Sequence, residues 1–205
     1  CGSRLELYQD SSGGERWNST NHVNRAHTVP TTFRGYRLRT SAITSHGLRA
    51  TPVVVATSAE RQFGLAVQYF WQNCPKSIEA SSEALSVRVF PSQYADVHEI
   101  QGGEQKTHSF VVAFSNDTVT EVPLEWCRAP LLARAEPDWY CASGALRYLS
   151  PAADDHEDGY QRLVNAAIEG EDTFERKREL IDEYGWRNFG DLYADHESVQ
   201  QPASA

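Results

Sequence analysis

The sequence predicts a mostly β protein, with an antiparallel β-sandwich over residues 1–148 and a short helical segment over residues 149–205. Through residue 135 the chain consists of short alternating or β-branched runs separated by Gly, Pro and Asn, which is the pattern of strands and turns. Between Pro137 and Pro151 the composition changes, and apolar residues then recur at helical spacing. The intervals between the runs favour an antiparallel sandwich over helix-linked parallel strands.

Seven runs carry the strand pattern and are bounded by turn residues. In the sixth run, Phe110, Val112 and Phe114 fall on one face, so we expect them in the core. Lys106 and His108 fall on the same face of this run as Phe110, and we expect them toward the rim of the sheet. The predicted strands are 4–9, 33–40, 51–57, 64–71, 84–90, 107–114 and 119–124.

The C-terminal segment predicts two helices. Apolar residues within 163–168 recur at helical spacing, and Gly170 stands where a helix would end. Asp172 with Glu175 three residues later resembles a capping box that opens a second helix, which Gly185 would end. The apolar stripes of this hairpin have little to pack against in the sequence, so we expect a domain cut short. The small, polar residues 198–205 predict a disordered tail.

Charge limits the classes of partner. The net charge is −9, and residues 111–205 hold 8 Lys and Arg against 19 Asp and Glu. An acidic chain without a basic stripe is a poor nucleic-acid binder, because that affinity rests on neutralising phosphates. The sequence contains no run of 18 apolar residues, so it predicts no membrane span. We expect the protein to be secreted or periplasmic if an export signal lies upstream, and cytoplasmic otherwise.

The cysteines and carboxylates do not predict a metal site. Cys1, Cys74, Cys127 and Cys141 show no C-x-x-C spacing, which argues against structural zinc. Cys127 and Cys141 either pair in an oxidising compartment or are buried free thiols. Asp191 with Asp195 supplies too few oxygen ligands for calcium, so no cofactor is expected.

Two segments are too polar and too aromatic for ordinary core. Residues 186–197 crowd aromatic, cationic, carboxylate and imidazole groups, and residues 9–36 do the same around Trp17 and His22. Sugars suit such surfaces, because their ring faces stack on aromatics while their hydroxyls and carboxylates need fixed hydrogen bonds. We therefore expect a binding surface for an acidic polysaccharide or oligosaccharide.

Five segments follow one another along the chain, namely QDSSGGERW (9–17), FWQN (70–73), QGGEQKTH (101–108), DWY (138–140) and WRNFGDLYADHE (186–197). In this order they resemble the exo-rhamnogalacturonan lyase (YetA-like) family of polysaccharide lyases. The resemblance implies an enzyme of three parts, namely a barrel-like β domain, a central β-sandwich and an α/α toroid. The chain resembles the central sandwich, over residues 1–148, followed by the first helices of the toroid, over residues 149–205. It would then be a fragment of an enzyme that degrades rhamnogalacturonan-type pectin by β-elimination, too short to be active alone.

Eliminative cleavage of a uronate needs a group that neutralises the carboxylate, a base and a proton donor. Arg187 offers a planar, permanently charged carboxylate partner. His196 and Tyr193 stand three residues apart as candidate base and acid, and Asp191 is a candidate to orient them. The predicted substrate-binding residues are Trp17, His22, Asn24, Arg25, Lys106, His108 and Trp186.

Each of these assignments has a structural alternative. Arg187 with Asp191 would also serve as an ion pair that fixes a loop, with the neighbouring aromatics in the core. His22 and Arg25 would also hold the turn at residues 9–12, and Lys106 and His108 would also be ordinary sheet-surface residues. For the chain as a whole, the alternative is a non-catalytic carbohydrate-binding or structural β-sandwich.

Overall fold

The computed structural model describes residues 4–57, 61–100, 102–114, 124–128, 131–170 and 172–190. Eight antiparallel strands and three α-helices lie in this part of the chain, so the mostly β prediction is confirmed. The strands are β1 Leu5–Gln9, β2 Tyr36–Thr40, β3 Thr44–Gly47, β4 Val53–Thr57, β5 Gln62–Val67, β6 Lys76–Ala80, β7 Leu85–Arg88 and β8 Phe110–Phe114. The helices are α1 Pro137–Ser143, α2 Asp158–Ile168 and α3 Phe174–Ile181.

The strands form two sheets. One has five strands in the order β3-β2-β1-β6-β7, and the other has three in the order β4-β5-β8. In the first sheet Leu7 of β1 pairs with Leu38 of β2 on one side and with Ile78 of β6 on the other. In the second sheet Leu65 of β5 pairs with Val112 of β8. Apolar residues therefore align across each sheet, as a buried face requires.

Both sheets contribute to one core. Leu7 and Ile78 from the five-stranded sheet form a buried cluster with Leu65 and Val67 from the three-stranded sheet. Phe70, which follows β5, is 2% exposed and completes the cluster. Apolar faces of two sheets that pack on each other define the sandwich arrangement.

Two predicted features of the strands differ from the structure. The strands β3 and β6 were not predicted, because their sequences, TSHG and KSIEA, lack the apolar alternation of a half-buried strand. Phe110 and Phe114 are 54% and 75% exposed, so the predicted core role of these two is wrong. Only the middle of β8 is covered, where Val112 packs against the core. Of the predicted strand 119–124, residues 119–123 lie outside the described residues.

The described residues fall into two compact units, one within Cys1–Ala129 and Arg178–Ala205 and the other within Pro130–Lys177. Helix α1 was not predicted, and it begins at Pro137 and ends before Gly144, which adopts a φ of 65°. The predicted boundary at residue 148 and the toroid assignment stay predictions. No helix in the described part of the chain is long and apolar enough to cross a membrane.

Candidate functional site

The turn that follows β1 is polar yet buried. Gln9, Asp10, Ser11 and Ser12 are each at most 1% exposed. Gln9 Nε2 donates to the carbonyl oxygen of Leu48 at 2.8 Å, and Gln9 Oε1 accepts from the Ala50 backbone at 2.9 Å. Buried polar groups cost free energy unless they are paired, so these bonds determine the path of the turn.

Asp10 accepts the hydrogen bonds that connect this turn to neighbouring residues. Its Oδ1 accepts from the Tyr8 hydroxyl at 2.5 Å, and its Oδ2 accepts from the backbone nitrogens of Thr32 and Phe33 at 2.5 and 2.9 Å. Burial, followed by the hydrogen bond to Asp10, raises the pKa of Tyr8. The Tyr8 hydroxyl therefore keeps its proton and stays a donor. These contacts hold the loop at residues 31–35 against β1.

Asp182 connects the N-terminal turn to the C-terminal segment. It is fully buried, its Oδ2 accepts from Ser12 Oγ at 2.7 Å, and its Oδ1 lies 3.1 Å from His22 Nε2. Nearby, Asn21 Nδ2 donates to the Ile181 carbonyl at 2.5 Å. Residues about 160 positions apart in the sequence thus meet at one end of the sandwich. The structural alternative predicted for His22 is that it holds the turn at residues 9–12, and Asp182 mediates this contact. Sequence reasoning did not identify Asp182.

Arg187 and Trp186 lie beside this junction. Arg187 Nη1 donates to the Val23 carbonyl, and the Arg187 carbonyl accepts from Lys106 Nζ at 2.8 Å. Trp186 is 4% exposed, and its ring centroid lies 5.4 Å from that of His98. Among the predicted binding residues, the Trp186 ring is therefore packed in the interior, while Trp17 is only partly buried.

These groups surround a small cleft of about 30 Å³. That volume is enough for about two water-sized groups, so it admits a carboxylate or hydroxyl but not a sugar ring. Four of the predicted site residues lie on its wall, namely Trp17, His22, Trp186 and Arg187. The structure brings these four together from two separate segments of the chain.

Asn24 and Arg25, two other predicted binding residues, do not lie on the cleft wall. Asn24 Nδ2 donates to Asp96 Oδ2 at 2.6 Å, and Asn24 Oδ1 accepts from the backbone of its own turn. Arg25 is 75% exposed at its side chain and pairs with Glu99 at 2.8 Å. Asp191, Tyr193 and His196 lie outside the described residues, so their catalytic roles stay predictions.

Residues 70–73, one of the segments that carry the family resemblance, have a packing role. Trp71 lies under the guanidinium of Arg49, 4.0 Å from its centre to the ring centroid. Arg49 also forms two hydrogen bonds with Glu179, at 3.0 and 2.7 Å, and Glu179 accepts from the Tyr184 hydroxyl at 2.7 Å. Stacking and a two-pronged ion pair together hold Glu179 and Tyr184 against the sandwich.

Buried Lys76 and partly buried His108 form a pair that the sequence did not predict. Lys76 Nζ lies 2.8 Å from His108 Nδ1, and the Lys76 side chain is 0% exposed. Burial lowers the pKa of Lys76 to about 8. Burial and the nearby Lys76 and Lys106 lower the pKa of His108 to about 4. His108 is therefore a neutral imidazole near neutral pH.

Replacing Lys76 with Met is expected to stabilise the fold near neutral pH. Below about pH 8 Lys76 is protonated in the folded and the unfolded chain, so the cost of its burial is fully present. As the pH rises from about 8 to its ordinary pKa of 10.5, the folded chain loses that proton first and the cost disappears. The pKa shift corresponds to about 3 kcal/mol.

Chemical denaturation of both proteins between neutral and alkaline pH measures this difference. Lys76→Met should be more stable by about 1–3 kcal/mol near pH 7, with the gap closing at alkaline pH. A variant that is less stable than the wild type at pH 7 would show that the Lys76–His108 hydrogen bond outweighs the burial cost.

A larger cavity lies between the two sheets, at the end where β1 begins and β8 ends. Its volume is about 840 Å³, and Leu5, Val54, Phe63 and Phe114 contribute to its wall. None of the predicted site residues in the described part of the chain lies on this wall. Arginine is the only titratable residue type among the described residues that line it.

Comparisons of the chain with protein-family models, curated proteins and solved structures found no match. The described residues contain no group of three or more His, Cys, Asp or Glu side chains placed to hold a metal ion. Cys74 and Cys141 are free thiols, and burial raises the pKa of Cys74. The candidate site is therefore defined by the geometry around the small cleft and the adjacent Lys76–His108 pair.

Proposed function

We propose that this chain recognises an acidic polysaccharide of the rhamnogalacturonan type and is part of a lyase that cleaves it by β-elimination. The observation that carries the proposal is the convergence of Trp17, His22 and Arg187 on one cleft. These residues come from the two segments whose composition predicts a sugar surface. An aromatic ring, an imidazole and a guanidinium together match the ring face and the carboxylate of a uronic acid.

The size of the cleft specifies how a glycan would bind. At about 30 Å³ it accepts one carboxylate or hydroxyl group, so the sugar ring would lie outside, against the partly buried Trp17. Arg187 would neutralise the carboxylate of the sugar, which makes the neighbouring C–H proton more acidic. His22 is held by Asp182 at 3.1 Å, an arrangement that orients an imidazole for proton transfer.

A second candidate is a non-catalytic carbohydrate-binding domain. The observation that favours it is the extent to which polar groups on the cleft wall bond to one another. Asp182 engages Ser12 and His22, while Arg187 donates to the Val23 carbonyl. Such a network fixes a surface for binding without leaving a free base.

Incubation with rhamnogalacturonan, followed by ultraviolet absorbance of the unsaturated product, tests the activity. We expect titration calorimetry to detect binding and the chain alone to show little turnover, because positioning supplies much of a catalytic rate. Binding without any product, even when the chain is joined to its flanking sequence, would support the binding domain. Absence of binding to rhamnogalacturonan and to oligogalacturonate would contradict both candidates.

Trp17→Ala tests whether the Trp17 ring contributes to glycan binding. Removing a stacking platform should weaken glycan binding by about 1–3 kcal/mol, the range for the loss of an aromatic contact. Trp126→Ala is the control, since Trp126 is 46% exposed and does not lie on the cleft wall. Equal affinities of the two variants would remove Trp17 from the binding surface.

A further inference from the structure

The cavity between the two sheets lies at the opposite end of β1 from the small cleft. Leu5 at the start of β1 lines the cavity, whereas Asp10, just after the end of β1, lines the cleft. The cavity has a volume of about 840 Å³, within the range of about 300–1,000 Å³ that is typical of small-molecule sites. This volume corresponds to roughly 30 water molecules.

The partly buried part of the cavity wall is apolar. Leu5, Val54 and Phe63 line the cavity and pack against the core cluster that both sheets share. The Phe63 ring meets the Phe114 ring edge to face, with the centroids 5.2 Å apart, and Phe114 is 75% exposed. Water against such side chains finds few hydrogen-bond partners, so its displacement by an apolar molecule is favourable. This part of the wall therefore suits the apolar body of a ligand.

The exposed part of the wall is cationic. Arg4 and Arg61 are exposed and line the cavity, and no Asp or Glu lies among the described residues of its wall. Arg4 acts electrostatically on Glu79, whose carboxylate accepts two hydrogen bonds from Arg88 instead. Arg4 forms no hydrogen bond or ion pair with another described residue. A guanidinium group binds a carboxylate through two parallel hydrogen bonds, so an anionic head suits this position.

The space between the sheets limits the shape of the ligand. Two packed sheets lie about 10 Å apart, which leaves room for one layer of groups between them. A linear apolar chain fits such a slot. A sugar ring needs hydrogen bonds around its edge, whereas the charged groups of this cavity lie on the exposed part of its wall.

We propose that this cavity binds an amphipathic carboxylate with a linear apolar body, as in a medium-chain fatty acid. The chain would lie between the sheets against Val54 and Phe63, and the carboxylate would lie beside Arg4 and Arg61. This binding is independent of the proposed function, because none of the described residues lines both the cavity and the cleft.

Titration calorimetry of the wild-type chain with decanoate, decanol and decyltrimethylammonium tests the class of ligand. The three share the same apolar chain and differ in the charge of the head. Near neutral pH and below micelle concentrations, we expect decanoate to bind saturably at a single site. Decanol should bind about tenfold or more weakly, because hydrogen bonds to charged groups contribute more than neutral ones. Equal affinity for the three compounds, or no binding of decanoate, would overturn the proposal.

Ala56→Trp tests the location of the ligand. Ala56 is exposed and lines the cavity, so a Trp side chain there occupies the space without replacing a core residue. We expect decanoate binding to be lost while the melting temperature stays close to that of the wild type. Ala145→Trp is the matched control, since Ala145 is exposed and lies in the other compact unit. Decanoate binding that survives in Ala56→Trp would contradict the assignment to this cavity.

Arg4→Gln combined with Arg61→Gln tests recognition of the head. We expect the affinity for decanoate to fall by about tenfold or more and the affinity for decanol to stay unchanged. The control combines Arg25→Gln with Arg147→Gln, which removes the same charge from exposed positions off the cavity wall. Equal losses in the two double variants would mean that net charge, rather than the cavity, determines binding.

Sedimentation of the wild type and of Ala56→Trp examines a competing occupant, a second copy of the chain. A monomer that binds decanoate supports the proposal. A wild-type dimer that dissociates in Ala56→Trp would show that a second copy covers the cavity, and it would overturn the proposal.

Discussion

Asp10→Ala is expected to lower the free energy of unfolding by about 3–5 kcal/mol, the range for breaking a buried polar network. Asp10 is 1% exposed, and its carboxyl group accepts from the Tyr8 hydroxyl and from the backbone of Thr32 and Phe33. The substitution leaves these donors without their acceptor, and the Tyr8 side chain is itself 6% exposed. Each unsatisfied buried donor costs its full desolvation penalty.

Urea denaturation of the wild type and of Asp10→Ala measures this loss. Asp96→Ala is the control, since Asp96 accepts from Asn24 and from the Val97 backbone at a partly exposed position. We expect a much smaller loss there, because water replaces the missing acceptor. Similar losses in the two variants would mean that burial does not determine the contribution of Asp10.

Gly35→Ala is expected to cost about 3 kcal/mol or more, because it combines backbone strain with a steric clash. Gly35 has a φ of +85°, a region that residues with a side chain rarely adopt. A Cβ atom there would lie 2.1 Å from the Gly47 carbonyl oxygen and 2.7 Å from Leu48 Cα. Both contacts are to backbone, so relief requires the strand β3 and its flanking turn to move.

Gly103→Ala separates the two contributions. Gly103 has a φ of +89°, and no atom of the described residues lies within 4 Å of an added Cβ, so we expect backbone strain alone. Its expected cost is about 1 kcal/mol. Thermal melts of the two variants should therefore differ clearly. Equal melting temperatures would show that the contact between Gly35 and β3 relaxes freely.

Sequence reasoning found the elements whose periodicity is local. The predicted strands 4–9, 33–40, 51–57 and 84–90 contain β1, β2, β4 and β7, and Gly170 and Gly185 do adopt positive φ after the helical residues. Alternation of apolar residues and the conformational freedom of glycine act within a few residues. The mostly β class therefore follows from the sequence alone.

The residues of the candidate site could be predicted less completely than the strands, because their contacts depend less on local sequence pattern. Composition indicated the two segments that supply Trp17, His22 and Arg187, because dense polar and aromatic side chains are visible in any short window. It did not indicate Asp182, which joins Ser12 to His22 from about 160 residues away. Nothing in the sequence distinguishes Asp182 from the other acidic residues near the end of this charged helix.

The sequence by itself determined the β class, the main strand positions and the two segments rich in aromatic and polar side chains. Tertiary structure alone decided that β6, with the sequence KSIEA, is a strand inside a sheet, and that Lys76 at its start is buried beside His108. The physical reason is that pairing with β1 and β7 supplies the hydrogen bonds of β6. The burial of Lys76 depends on the residues that pack against β6. No pattern within the five residues of β6 encodes that packing.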